Sequence, residues 1–291
     1  HSENGDFSLT DSVVSITSGG DGIWMGEGDV IVTGEESILN ITASCAYDAA
    51  YGIYATGKIL IDDAEVNVEK RDMATDAIWA NDDIRISGDA NMSVVDWSET
   101  DYLDCGLHSD EGNVAIGEEA QIDICSQSIG IYADDNVYIG YLWNGSTYAA
   151  SGSPTVTIND PSSIAAITPL TPDDFTMGPN AIKTDTGEIY MAEGTLTSAG
   201  GTKALDTSTT NLPAIYRYKI NTLPSSPGDA YTLSSAAPFE NDAELYKYVE
   251  ITSTIPAPPA PSGGGSSSPS RTITVTETSS GLFTEAQGEV Q

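Results

Sequence analysis

Between Gly52 and Val68 the chain carries three apolar-alternating runs of three residues each. They are Ile53-Tyr54-Ala55, Ile59-Leu60-Ile61 and Val66-Asn67-Val68. Two polar turns join them, Thr56-Gly57-Lys58 and Asp62-Asp63-Ala64-Glu65. No run is long enough to be stable as a lone strand. Repetition of the trio along the chain therefore constrains the fold sharply: each trio is one coil of a stack, and neighbouring coils must complete its core.

The first run recurs at Ile23, Ile53, Ile78, Leu107 and Ile131, each time after a small residue, namely Gly22, Gly52, Ala77, Gly106 and Gly130. The second recurs at Val30, Ile59, Ile84, Val114 and Val137, and the third at Leu39, Val66, Met92, Ile122 and Val156. A degenerate sixth coil follows at Ile182, Ile189 and Leu196, and the opening Phe7 to Ile16 alternates like a pair of strands that begins the stack. Period-two alternation, interrupted every few residues by Gly or Asp, excludes helices. The first and third residues of each run point inward and build ladders of Ile, Val and Leu. The expected fold is all-β: a parallel β-helix with three short strands per coil, right-handed by the usual crossover preference.

The rhythm predicts a solenoid over residues 1–200. Two strand-like stretches, Ala214–Ile220 and Leu245–Ile251, read as a hairpin within a cap over 201–255, because an open solenoid end exposes unpaired backbone groups. Residues 256–270 (PAPPAPSGGGSSSPS) form a linker, stiff and then flexible. Residues 271–291 read as the cut-off start of a further domain or as a disordered tail.

Lys and Arg number 10 against 44 Asp and Glu, a formal net charge of −34. That balance argues against nucleic acid and anionic membrane surfaces as partners, and no apolar run of 18 residues offers a bilayer-spanning helix. Three cysteines, Cys45, Cys105 and Cys125, do not make a disulfide framework. Cys105 and His108 form an isolated C-x-x-H, which by itself reads as coincidence.

Three outward columns carry the candidate sites. The middle of run one gives Trp24, Tyr54, Trp79, His108 and Tyr132. Rings about 4.8 Å apart either brace the sheet by stacking on one another or offer a flat strip to the apolar faces of sugars. The turn before run three gives Glu36, Asp63, Asp89 and Glu119, which are either solvated acids or oxygen ligands for calcium. The middle of run two gives Ile31, Leu60, Arg85, Ala115 and Tyr138, apolar enough to need a cover or to be an interaction face for a protein partner or a second copy. The middle of run three (Asn40, Asn67, Ser93, Asp123, Thr157) simply faces water.

Catalytic motifs are missing: there is no G-x-S-x-G, H-E-x-x-H or P-loop, and the two histidines are His1 and His108. For a polysaccharide lyase the best base would be Arg85 beside Asp83, or Lys58 near Asp62.

The coils Gly52 to Val68 and Ala77 to Val94, with the G-I-x-A opening repeated at Gly130, resemble bacterial cell-surface β-helix proteins of the polygalacturonate-binding type, which share the pectate-lyase shape. That family's Asp before G-I is matched at Asp21 and Asp76, while Tyr51, Cys105 and Ile129 stand there in other coils. The resemblance implies a parallel β-helix and a calcium-containing carbohydrate binder without catalysis. The Pro-rich linker resembles those of multidomain Gram-positive surface proteins. The expectation is thus a secreted or surface-displayed module of a longer chain that binds a polysaccharide, neutral or acidic. The alternatives are a spacer or protein-interaction module, and a lyase-like enzyme.

Overall fold

The computed structural model describes residues 1–44, 50–71, 75–97, 104–166, 175–213, 216–224, 232–234 and 246–253. By internal contacts the chain divides at 255/256. The linker and tail expected over 256–291, together with Cys45 and the starts of the two cap stretches, lie outside the described residues.

Each of the three runs stacks into its own parallel sheet, and the coils number about six. In the run-one sheet Ile23, Ile53, Ile78, Leu107, Ile131, Ile182 and Leu205 fall in register from coil to coil. The run-two sheet aligns Phe7, Val30, Ile59, Ile84, Val114, Val137, Ile189 and Thr210. The run-three sheet aligns Val14, Leu39, Val66, Met92, Ile122, Val156 and Leu196. Register is held because a slip of one residue would turn every inward aliphatic to water. The opening segment supplies a run-two strand, Phe7–Thr10, and a run-three strand, Val13–Ser18. Parallel pairing continues past residue 200 through Lys203–Asp206 and Thr210–Asn211.

The small residue before run one has a steric cause. A Cβ on Gly52 would lie 2.5 Å from the Ala77 carbonyl oxygen, and one on Gly130 would lie 2.6 Å from that of Ala181. Successive coils approach backbone to backbone at this corner.

Beyond the last parallel strand the chain reverses. Tyr248–Thr252 pairs antiparallel with Thr195–Ala199 on one side and with Tyr216–Asn221 on the other. Tyr216, Val249 and Ile251 join the apolar core. The cap thus extends the run-three sheet sideways. A six-residue helix, Pro161–Ala166, is the sole helix among the described residues.

Candidate functional site

The run-one column comes together as a ladder. Trp24, Tyr54 and Trp79 stack with centroids 5.5 and 4.5 Å apart and planes within 6° of parallel. His1 closes the end at 4.0 Å from Trp24. Beyond Trp79 the pattern changes: His108 lies edge-on to it at 6.3 Å, and Tyr132 edge-on to His108 at 4.7 Å. Lys183 sits 5.4 Å from the Tyr132 ring. The consequence for binding is geometric. Rings that stack along the solenoid axis spend their faces on each other and turn their edges to water. Tyr51 leans over the Tyr54 and Trp79 rings at 4.9 and 6.5 Å; burial first, then nearby Asp76, push its hydroxyl up to about 12.

The acidic column does not converge on a point. Asp63 adopts φ 52° and its Oδ1 accepts from the Asp89 backbone N–H at 2.8 Å. Its neighbours behave alike: Glu118, at φ 54°, accepts from the Gly88 N–H at 2.6 Å, and Asp62 accepts from the Ser87 hydroxyl at 2.6 Å. Glu36, Asp89 and Glu119 are exposed, and the small residues after them, Ser37, Ala90 and Ala120, are buried. Calcium asks for six or more oxygens around one ion. Among the described residues, the three ligand groups that meet within reach of one ion are a different set, Asp76, Cys105 and His108.

A second polar column is legible in the sequence. The residue directly before run two is Asp29, Lys58, Asp83, Asn113, Asn136 and Glu188 in successive coils. Asp29 accepts from the Lys58 N–H at 2.8 Å, Asp83 from Asn113 at 2.9 Å, Asn113 from Asn136 at 3.1 Å, and Asn136 from Glu188 at 2.9 Å. Part of the acidity of this chain is therefore acceptor chemistry for its own turns.

The run-two column is half covered. Between runs two and three of the fifth coil the chain folds as a hairpin, Tyr141–Trp143 against Tyr148–Ala150. Tyr148 stacks on Tyr138 at 4.2 Å and donates its hydroxyl to Asp83 at 2.9 Å. Asp83 also takes Arg85 at 2.6 Å, and Arg85 lies 5.3 Å from the Trp143 ring. Burial works to raise the Asp83 carboxyl, but the Asn113 N–H, Arg85 and Tyr148 outweigh it and hold the group below its ordinary range. Arg85, one of the two residues that the sequence offers as a lyase base, is thus tied to Asp83. Ala115 is buried, while Ile31 and Leu60 line an open apolar groove of about 290 Å³ with Leu142 and Trp143.

The polar middle of run three does more than face water. Asn40, Asn67, Ser93 and Asp123 line an open groove of about 380 Å³ along the axis, walled by Thr42, Glu69, Val95 and Ser163. The Asn67 amide donates to the Asn40 amide oxygen at 2.9 Å. Burial, with Asp160 adding and a Ser163 hydrogen bond opposing, raises the Asp123 carboxyl, and its buried Oδ1 has no hydrogen-bond partner. The sequence signal was present, one polar residue per coil, but the concavity was not.

Compared with protein-family models, with curated proteins and with solved structures, the chain matches none, so the resemblance drawn from its coil motifs extends as far as the parallel β-helix shape that its sheets display.

Proposed function

We propose that this protein is a non-catalytic polysaccharide-binding module of a secreted or surface-displayed chain. The supporting observation is the run-three groove: four side chains rich in amide, hydroxyl and carboxylate groups, repeated once per coil along a straight track. A periodic polyol chain suits a periodic row of donors and acceptors. The aromatic ladder lies on the run-one strands and serves mainly as a brace, because the faces of Trp24, Tyr54 and Trp79 are already stacked.

The test is a glycan array followed by calorimetry on the hits. Ser93→Tyr, which fills the groove, abolishes binding, whereas Trp24→Ala with Trp79→Ala retains it. The reverse outcome moves the site to the ladder, and an array with no neutral or acidic hit removes the reading.

A second reading, a spacer that contacts another protein or a second copy, is favoured by the uncovered part of the run-two face, where Trp143 is 38% exposed beside Leu60. It requires self-association or partner capture that Leu60→Glu removes.

A further inference from the structure

Where the run-three sheet turns into run one, the inward positions stop being apolar. Lys70, Asp96 and Ser126 occupy one buried row on adjacent strands. That row is satisfied: Lys70 pairs with Asp96 at 3.4 Å and donates to the Thr75 carbonyl, and Ser126 donates to Asp96 at 3.0 Å. The next group along the same corner is not. Asp76 and Asp104 are each more than nine-tenths buried, and one oxygen of each, Asp76 Oδ1 and Asp104 Oδ2, lacks a hydrogen bond. Neither His108 ring nitrogen makes a hydrogen bond either, although Nδ1 stands 3.0 Å from Asp76 Oδ2 and Nε2 stands 3.5 Å from Asp110 Oδ1. Unsatisfied buried polar groups are rare and call for an explanation.

We propose that Asp76, Cys105 and His108 form a zinc-class metal site that staples two neighbouring coils. One ligand atom from each of the three lies within 4.8 Å of the other two. Tetrahedral zinc with bonds of roughly 2.0–2.3 Å sets its ligands about 3.5 Å apart, so closure needs only small side-chain shifts. The donor set is one sulfur, one nitrogen and one oxygen. Thiolate and imidazole select a borderline-soft divalent ion and reject calcium, which takes oxygen alone. The charge sense agrees. Lys70 faces both Asp96 and Asp104, so with Asp76 three buried carboxyls share one ammonium and one imidazole, and a dication supplies what is missing. Binding displaces the Cys105 proton to solvent, leaves the metal oxidation state unchanged, and keeps a fourth position for water. The spacing C-x-x-H is necessary but not sufficient: the third ligand, Asp76, comes from the preceding coil, where it stands two residues before the Ile78 that pairs with Leu107.

The experiment uses the full chain, stripped with a chelator and titrated with Zn²⁺ alone, Co²⁺ alone and Ca²⁺ alone. Zinc binds one to one and raises the melting temperature, and the chelator reverses both. Cobalt gives a thiolate charge-transfer band that is lost in Cys105→Ser and kept in Cys125→Ser. His108→Gln, with an unchanged far-ultraviolet circular dichroism spectrum, weakens zinc binding at least about tenfold. The proposal is overturned if the folded chain binds no stoichiometric zinc, if the cobalt band survives Cys105→Ser, or if calcium reproduces the zinc shift.

Discussion

One tyrosine of the hairpin over the run-two face makes both a ring contact and a charged hydrogen bond with the sheet beneath, which makes its energetics accessible. Tyr148 gives its hydroxyl to Asp83 at 2.9 Å and its ring to Tyr138 at 4.2 Å with planes 15° apart. Tyr148→Phe removes the first and keeps the second. A hydrogen bond to a charged acceptor is worth roughly 1.5–3 kcal/mol, and partial exposure reduces this to about 1–2 kcal/mol. The hairpin is a surface appendage, so the loss falls on its local opening rather than on the solenoid. At about 1.4 kcal/mol per tenfold, the open population rises roughly 5- to 30-fold. Amide hydrogen exchange reads this directly: residues 141–150 exchange faster, while Val137–Ile139 beneath them does not change. Tyr148→Ala also forfeits the stack, a further 0.5–1.5 kcal/mol or so, and Trp143 fluorescence shifts to that of a solvated indole. The Asp83 carboxyl, losing one of the donors that hold it low, titrates higher in Tyr148→Phe. Exchange that stays within twofold of the parent would refute the latch, as would equal acceleration across the whole solenoid.

Gly88 sits at φ 67°, and a Cβ there would lie 2.1 Å from Asp63 Oδ1. Gly88→Ala therefore costs about 1–2 kcal/mol of backbone strain plus about 1 kcal/mol for the displaced Asp63–Asp89 bond, read as a lowered urea midpoint at unchanged slope. Lys70→Met leaves Asp96 buried without its cation and destabilises by about 3–5 kcal/mol, much of it recovered when Asp96→Leu is added, as a double-mutant cycle checks. Asp83 is held below its ordinary range in the folded state. Its stabilising contribution is therefore complete above the unfolded carboxylate value of about 3.9 and is lost as the pH falls through the lower folded value. Urea titrations below about pH 4 show a shallower acid limb in Asp83→Asn.

The fold was legible because its signal is local and repeated. Three residues per run, alternating in and out, assign Ile53, Ile59 and Val66 to the core without reference to any other coil. The sites were not, because each depends on how coils are placed beside one another. Run-one aromatics were recognisable as a column, but whether Trp24, Tyr54 and Trp79 show faces or edges depends on side-chain rotation, which no spacing encodes. The cover on Tyr138 comes from a hairpin whose Tyr148 reaches an acid 65 positions away. Cys105 and His108 looked accidental because Asp76, which completes the trio, belongs to another coil. The acids of the turns carry a second ambiguity: Asp63 reads from spacing as an ion ligand or a solvated charge, while its Oδ1 accepts from the Asp89 backbone N–H.

The ladder before run two also has a direction. In each step from Asp29 to Lys58 and from Asp83 through Asn113 and Asn136 to Glu188, the earlier coil supplies the oxygen and the later coil the N–H. A finished coil thus carries unused lone pairs that fit only the turn still to come. Chain growth from the amino end meets this template in the order in which it is made, so the coils that carry Asp29, Asp83, Asn113 and Asn136 each instruct the next where to bend.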